Sequence, residues 1–422
     1  MKKHILKIVT LALGAAQFLL LCACTGGDEN NETDKGGESV GVTETRTETA
    51  EETTDYLSML PENPEILFDG EGDDTACLKA GQQYIYGDYI FYYDTDTYTI
   101  DYRFISSLDT EAVTVPLNGG ESIYNLLFLV DEETSEKYGT PVIIAKYSVT
   151  GENGTYYKIV SIDLASGTES VILDSLTYAY IEYLYLYGDD IFFTSCDEYL
   201  DNSRLHHVTT AGDDYAVLEP PEEEVGSYFV ETVYDGRIYY GIGNNRYRQV
   251  YSATPEFEDT EYVFGANPMN ESNVTVQNGY IIYPKNGSDF YFYTDDTEEA
   301  VEYTLYYSGD LVCRPLDDTS TVYTLAYGVY SFYCGGDYIF YTRTTPRNAT
   351  SLLADSGTNV MYAYSQKTGI TTEIYNLGDA EYVRYVRTIT DKYILFEDWY
   401  SIEKSDYILY DIETGEETKI PY

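Results

Sequence analysis

The sequence is short of basic residues and of histidine, and both shortages restrict what the chain can do. Lys and Arg total 24 against 73 Asp and Glu, which gives a formal net charge of −49. Nucleic acid is excluded as a partner, because binding it requires clustered Lys and Arg that displace counterions. Apart from His4, the only histidines are His206 and His207, so a histidine-dependent nucleophilic site would have to use one of these two.

Motifs for metals and cofactors are also missing. The segment from Asp94 to Asp101 carries alternating acids, but Tyr98 and Thr99 stand where an EF-hand requires an oxygen ligand and a glycine. The sequence has no P-loop, dinucleotide fingerprint or zinc-protease motif. It therefore predicts neither a metal nor a cofactor.

The N-terminus carries a basic start followed by a short apolar run that ends in Leu-Cys-Ala-Cys at 21–24. The run is too short to span a bilayer comfortably and is typical of a signal peptide. The ending resembles a bacterial lipobox, although Cys22 departs from its usual pattern. The resemblance implies a lipoprotein signal peptide at 1–23, a lipid on Cys24, and a location on the extracytoplasmic face of the cell membrane. The alternative is a cleaved secretory signal with chance cysteines.

Residues 24–65 are rich in Thr, Glu and Gly and contain few apolar side chains. Such a segment cannot bury enough surface to fold, and its like charges extend it. We expect an acidic, disordered tether that holds the following domain away from the membrane. The rest of the chain holds most of the 50 Tyr, a residue that favours strands.

From residue 66 onward the chain repeats a two-residue turn followed by a short hydrophobic strand. Gly, Asn and Asp in these turns supply the positive φ that a tight hairpin needs. The isoleucine of each strand marks the repeat, at positions Ile90, Ile143, Ile191, Ile238, Ile281, Ile339 and Ile394. A second signal in the same phase is a strand, a turn around Gly and another strand, as at 159–167 and 408–415. The spacing of these isoleucines gives the length of one repeat. Repeats of that length with four strands each predict an all-β fold, a β-propeller of about seven blades over 66–422.

These repeats resemble the TolB and YWTD types of propeller repeat. The leader and repeats together resemble propeller lipoproteins of unknown function on Gram-positive bacteria, although the sequence lacks a clean YWTD tetrad. The resemblance implies a fold and a location and no reaction.

The two histidines and the internal cysteines are interpreted as structural. Aligning Gly212 with Gly415 places His207 opposite Tyr410, in the third strand of its repeat. Ser203 and Asp201 lie near enough in sequence to suggest a catalytic triad, but the repeat already explains both histidines. A disulfide between Cys313 and Cys334, which flank a repeat boundary, is one reading, and buried free thiols are the other. No catalytic residue is assigned.

Connections between the second and third strands differ in length and chemistry, whereas the turns between the first and second strands are short and uniform. Variable loops on a rigid scaffold are where binding usually resides. Aromatic and basic residues in these loops are the predicted ligand contacts, namely Arg246, Tyr247, Arg343, Trp399 and Tyr400. The single Trp should be partly exposed; the alternative is that it packs beneath its own loop.

Two functions follow from this reading. The first is a lipid-anchored surface module that binds an extracellular protein or glycan without catalysis. The second is an enzyme, a glycosidase or lyase, that acts on extracellular polysaccharide with paired carboxylates in the propeller channel. In a chain with 73 acids, such a pair cannot be selected from sequence.

The lipobox generates a direct test. Cys24→Ala removes the thiol that would carry the lipid, so the variant should appear in the medium or remain unprocessed. Cell fractionation with immunoblotting distinguishes these states from the wild type. Retention of a processed Cys24→Ala protein in the membrane fraction would contradict lipid attachment.

Overall fold

We describe a computed structural model of the 422-residue chain. The structure describes the residues 68, 77–94, 97–117, 123–151, 154–176, 180–196, 203–219, 227–243, 248–266, 274–293, 302–318, 320–343, 360–377, 382–401 and 404–421. The predicted signal peptide and tether lie outside these residues.

The described chain forms seven antiparallel sheets around four consecutive strands each, one of which gains a fifth strand, and the predicted seven-bladed propeller is confirmed. One short extra strand, β1 (Leu78–Lys79), precedes them. The strands of blades 1 to 4 are β2 (Gln83–Tyr86), β3 (Tyr89–Asp94), β4 (Thr99–Phe104), β5 (Val113–Pro116), β6 (Ile123–Val130), β7 (Val142–Gly151), β8 (Gly154–Asp163), β9 (Thr168–Leu176), β10 (Tyr180–Tyr187), β11 (Asp190–Cys196), β12 (Arg204–Thr209), β13 (Ala216–Leu218), β14 (Ser227–Tyr234), β15 (Arg237–Gly243), β16 (Arg248–Ala253) and β17 (Glu261–Ala266).

Blades 5 to 7 follow the same order. Their strands are β18 (Thr275–Gln277), β19 (Tyr280–Tyr293), β20 (Glu302–Pro315), β21 (Tyr323–Val329), β22 (Ser331–Gly335), β23 (Tyr338–Arg343), β24 (Val360–Ser365), β25 (Thr371–Asn376), β26 (Val383–Ile389), β27 (Tyr393–Ser401), β28 (Lys404–Asp411) and β29 (Glu417–Ile420). First strands of neighbouring blades contact each other, for example β2 with β6 and β26. The first strand is therefore the innermost and borders the central channel.

The two ends of the ring differ in their connections. Tight turns between first and second strands lie at one end, which we call the turn face, as at Asn278–Gly279 with φ of 48° and 74°. Connections between second and third strands lie at the other end, which we call the loop face. The opposite placement follows from the up-and-down order of each sheet.

The predicted isoleucines occupy equivalent positions and are buried. Each stands second in its strand, next to the residue pair that closes the tight turn; Ile90 pairs with Ile85, and Ile394 pairs with Ile389. All seven, including Ile143 of the irregular second repeat, are 0% exposed. This part of the prediction is confirmed.

Side chains alternate between the two faces of a strand, and the propeller uses this alternation to join its blades. Ile339 of blade 6 packs in a cluster with Leu311 of blade 5. The next residue, Phe340, packs in a cluster with Phe396 of blade 7. The same pattern places Ile281 against blade 4 and Ile282 against blade 6. Each second strand therefore contributes one large side chain to each neighbouring blade.

Packing between separate sheets closes the ring. No described strand of blade 1 pairs with blade 7; their shared core contains Ile85, Ile90, Leu395, Leu409 and Ile420. One polar contact crosses the same junction, from Gln83 Nε2 to Tyr407 Oη at 3.4 Å. Closure therefore depends on side-chain complementarity.

Blade 2 replaces the tight turn with a helix, α1 (Glu132–Tyr138). Asp131 caps its start by accepting a hydrogen bond from the Thr134 amide at 2.9 Å, and Gly139 ends it with φ of 70°. Among the described residues, no helix is both long and apolar enough to cross a bilayer.

Residues 77–81, which we call the strap, pair with the innermost strands from inside the channel. Leu78 lies opposite Leu186, and the Ala80 amide donates to the Leu184 carbonyl at 2.8 Å. Gly81 exchanges two backbone hydrogen bonds of 2.9 Å with Phe128 of blade 2. These partners lie close to the turn face. Upstream, the Phe68 amide donates to the Gln366 carbonyl on the same face.

The closing junction can be tested with two isoleucines. Ile90→Ala empties a fully buried position between blades 1 and 7 and should lower the free energy of unfolding by about 2–5 kcal/mol. Ile370→Ala, at a position 58% exposed, should change it by less than about 0.5 kcal/mol. Urea unfolding followed by circular dichroism measures both. Equal unfolding midpoints for the two variants would contradict the proposed role of the junction.

Candidate functional site

The loop face carries the best-defined cluster of predicted contacts on blade 7. Strands β27 and β28 form a hairpin whose pairing continues to Ser401 opposite Lys404. The sequence placed Trp399 and Tyr400 in the connection after the second strand, and this placement is wrong, because strand pairing extends to Ser401. Trp399 therefore lies within a strand, opposite Val383 and Ser405, and is partly exposed.

Aromatic rings and a cation surround this hairpin end, and we call Tyr382, Trp399, Tyr400 and Lys404 the blade-7 patch. The rings of Tyr382 and Tyr400 lie 5.2 Å apart. Lys404 Nζ lies 4.2 Å from the centre of the Tyr400 ring, a cation–π distance. Lys404 is exposed, and the three aromatic residues are partly exposed. The patch therefore offers aromatic surface together with polar tips.

A buried arginine holds the patch from beneath. Arg384 donates two hydrogen bonds to the Asp398 carboxylate at 2.6 and 2.8 Å, and its Nη1 donates to Glu417 at 2.6 Å. Burial opposes the charge of Arg384, but the bonds to Asp398 and Glu417 outweigh it and raise the arginine pKa. Removing one partner of such a pair leaves a buried charge, which costs about 3–5 kcal/mol.

Arg343, which the sequence assigned to a loop, is structural. It ends strand β23, is 8% exposed, and donates from Nε to the Tyr327 carbonyl at 2.9 Å. Its loop placement is wrong, because strand β23 extends further toward the loop face than the repeat pattern indicated. Arg248 begins strand β16 and pairs with buried Glu231 at 2.7 Å. Arg246 and Tyr247 lie outside the described residues.

The histidines lie in the third strand of blade 3, one position away from the predicted alignment. Ile191 pairs with Val208, as Ile394 pairs with Tyr410. His207 is therefore equivalent to Leu409 rather than Tyr410. The reason is that the turn around Gly212 is one residue shorter than its counterpart in blade 7.

His206 lies between Ser195 and Tyr215 in a buried chain of hydrogen bonds. The serine and histidine of this chain resemble the nucleophile and general base of a catalytic site. The Nε2 atom of His206 lies 2.6 Å from Ser195 Oγ, and its Nδ1 lies 2.9 Å from Tyr215 Oη. The serine suggested by sequence, Ser203, instead accepts the Tyr228 amide. Ser195 and His206 are 1% and 0% exposed, so a substrate cannot reach them without local opening of the blade. Burial lowers the pKa of His206 to about 3, which makes it a poor base at neutral pH.

The internal cysteines are unbonded, so free thiols describe them and the Cys313–Cys334 disulfide is absent from the structure. Cys313 and Cys334 share the core between blades 5 and 6. Burial raises the pKa of both thiols to about 12, which keeps them protonated and unreactive. Within the described ranges, no three His, Cys, Asp or Glu converge as metal ligands.

The described innermost strands supply two carboxylates, Glu182 and Glu231. Glu231 is buried, bonded to Arg248 and to the Val274 amide at 2.9 Å. The Glu182 side chain is accessible to water, although protein atoms surround most of it. The resulting loss of solvation raises the pKa of Glu182, and the positive charge of Lys146 lowers it by a smaller amount. One accessible carboxylate does not make the pair that glycoside hydrolysis requires.

Comparison with solved structures gives distant similarities. The propeller domain of the Trilobed protease from Pyrococcus furiosus is 10% identical over 84% of this chain and 96% of its own, with a TM-score of 0.49. Acylaminoacyl peptidase from Pyrococcus horikoshii is 11% identical over 86% of this chain and 54% of its own, with a TM-score of 0.48. The uncharacterized protein lmo1340 from Listeria monocytogenes EGD-e is 8% identical over 66% and 79%, with a TM-score of 0.41. No protein-family model and no curated protein matches the sequence.

Because His206 is buried, we expect its imidazole to remain neutral between pH 8 and pH 5. Its pKa of about 3 lies below the ordinary 6.5, so the unfolded chain takes up the proton first as pH falls. This residue's contribution to the free energy of unfolding is therefore complete above pH 6.5 and declines as pH drops toward 3. With 13C-labelled histidine, its ring C–H resonance should stay constant from pH 8 to 5; His206→Phe assigns the signal. A midpoint between pH 6 and 7 would contradict the buried, neutral state.

Proposed function

We propose that this chain is a lipid-anchored protein on the extracytoplasmic face of the membrane that binds carbohydrate through the blade-7 patch. The observation that carries the proposal is the packing of Tyr382, Tyr400 and Lys404 at the end of the blade-7 hairpin, where the adjacent strand residue Trp399 is also partly exposed. Aromatic side chains with polar tips suit the apolar faces and hydroxyls of sugars. The lipobox at 21–24 and the TolB- and YWTD-like repeats support the cell-surface location.

The arrangement favours binding over catalysis. The patch sits on paired strands and is braced by the ion pair of Arg384 with Asp398, whose side chains are 4% and 5% exposed. A rigid support reduces the ordering cost of binding. Among the described residues of the patch, no catalytic base lies next to a nucleophilic side chain that a substrate could reach. An extracellular protein is the other ligand class that an aromatic surface of this kind accepts.

The test is a glycan-array and secreted-protein binding screen with the full chain. Trp399→Ala and Tyr400→Ala should weaken binding to any selected glycan at least 10-fold, equivalent to about 1.4 kcal/mol. Tyr262→Ala is the matched control, because Tyr262 is 59% exposed on strand β17 of another blade.

Three outcomes are informative. Loss of glycan binding confined to the blade-7 variants supports the proposal. Equal loss in Tyr262→Ala, or selection of proteins and no glycan, overturns it. Release of shorter sugars from a bound polysaccharide would replace it with the polysaccharide-acting enzyme, the second function considered from sequence.

A further inference from the structure

Four aromatic side chains share one face of blade 1, and we call Tyr89, Phe91, Tyr102 and Phe104 the blade-1 array. Strand pairing sets Tyr89 opposite Phe104 and Phe91 opposite Tyr102. The rings of these two pairs lie 4.9 and 5.6 Å apart, and the Tyr89 ring lies 5.7 Å from that of Phe91 in the same strand. Residues directly opposite each other, or two apart in one strand, lie on the same face of a sheet. The four rings therefore form a continuous aromatic surface.

This surface runs from the core to the solvent. Phe91 is fully buried in the core that blade 1 shares with blade 2. Tyr89 and Tyr102 are partly exposed, and Phe104 is 36% exposed. Val113 lies opposite Tyr102 on the outer strand β5 and is 45% exposed. The apolar surface therefore extends over three strands, and its buried corner holds it in place.

The chain does not supply a cation to these rings. In blade 6, by contrast, the Arg343 guanidinium carbon lies 5.4 Å from the centre of the Tyr341 ring. Within the described ranges, no Lys or Arg lies over a ring of the blade-1 array. Arg103 stands between two array residues in the sequence, but strand alternation directs it to the opposite face, and it donates to the Leu108 carbonyl at 3.3 Å. The negative faces of the exposed rings can therefore receive a cation from another molecule.

Carboxylates lie next to the array. Asp88 stands in the tight turn before it, Glu111 stands just before β5, and both are exposed. Helix α1, which carries three Glu and one Lys, lies beside the same blade. Burial raises the pKa of Tyr86, the last residue of β2, and the carboxylates of Glu136 and Glu132 in the helix raise it further. These charges favour a positively charged partner over a negatively charged one.

The charge of the chain also decides between the available occupants. A second copy carries the same 73 acids against 24 bases and is repelled. The N-terminal segment at 24–65 is rich in Glu and is repelled for the same reason. An aromatic and aliphatic surface spread over three strands matches a polypeptide that presents apolar side chains together with basic ones.

We propose that the blade-1 array is a docking surface for a basic polypeptide segment of another protein. Lys or Arg side chains of that segment lie over the exposed rings of Tyr89, Tyr102 and Phe104, and its apolar side chains pack against Val113. Cation–π contacts gain strength as the cation loses water, so the apolar contacts and the ring contacts support each other. The array lies near the turn face, whereas the blade-7 patch lies on the loop face, and this inference does not depend on the proposed function.

The experiment is fluorescence anisotropy of the full chain with a labelled peptide of three Arg-Leu-Ser repeats, and with three Glu-Leu-Ser repeats as the acidic probe. Salt at about 0.15 M suppresses long-range attraction to the acidic chain. Wild type should bind the basic peptide saturably and leave the acidic peptide unbound. Phe104→Leu keeps an apolar side chain but removes the ring, so it should weaken binding at least about fivefold, whereas Phe104→Tyr should retain it. Tyr323→Leu is the matched control, because Tyr323 is 40% exposed on strand β21 of blade 5.

Two further measurements locate the peptide and separate the two proposals. A benzophenone in place of the central Leu should cross-link the peptide to residues 86–116, which mass spectrometry of the digested complex reads directly. Trp399→Ala should leave the affinity unchanged, and melting temperatures establish that all variants are folded. The inference is overturned by absence of saturable binding at millimolar peptide, by equal affinity of folded Phe104→Leu, by an equal loss in Tyr323→Leu or Trp399→Ala, or by cross-links confined to other blades.

Discussion

Neighbouring blades are held together by pairs of adjacent side chains on each second strand, and the rest of the ring depends on this packing. The isoleucine of each pair contacts the preceding blade, and the residue after it contacts the following blade, as with Ile339 and Phe340. Because side chains alternate along a strand, two consecutive residues suffice to join three blades. The same rule closes the ring, where Leu395 of blade 7 meets Ile90 of blade 1.

Charge is arranged around this apolar frame in a consistent way. The acids dominate the sequence, but three described arginines, Arg248, Arg343 and Arg384, are buried. Two of these form ion pairs, Arg248 with Glu231 and Arg384 with Asp398. A buried ion pair adds little to the free energy of unfolding, but removing one of its partners lowers that free energy strongly, because the other charge is left buried and unpaired. The buried arginines therefore fix the positions of strands near the loop face.

The sequence was most informative where local patterns decide structure. Tight turns with Gly, Asn and Asp located the second strands, and the buried isoleucines followed. The phase of His206 and His207 was wrong by one position, because a one-residue difference in a turn leaves little trace in the pattern. Arg343 was misplaced because strand length depends on pairing between distant segments. The strap was not predicted at all, since its partners, such as Leu186, lie far along the chain and follow no motif.

The blade-7 patch was predicted in part. Trp399 and Tyr400 could be named from the sequence, but the position of Tyr382 beside Tyr400 becomes visible only once the strands are paired.

The strap also has a consequence for the order in which the molecule can be made. Cys77 bonds Val233, 156 positions later, and Gln83 bonds Tyr407, 324 positions later. During synthesis the strap emerges before the propeller strands, so its contacts are complete only after blade 4 has been made. Blade 1 likewise gains its second neighbour only after blade 7 has been made. Contacts of such long sequence separation slow folding. The nascent chain therefore exposes the apolar face of its first blade, including Ile85 and Ile90, until the last strands are added. That face is the part of the molecule most in need of protection from association with other chains.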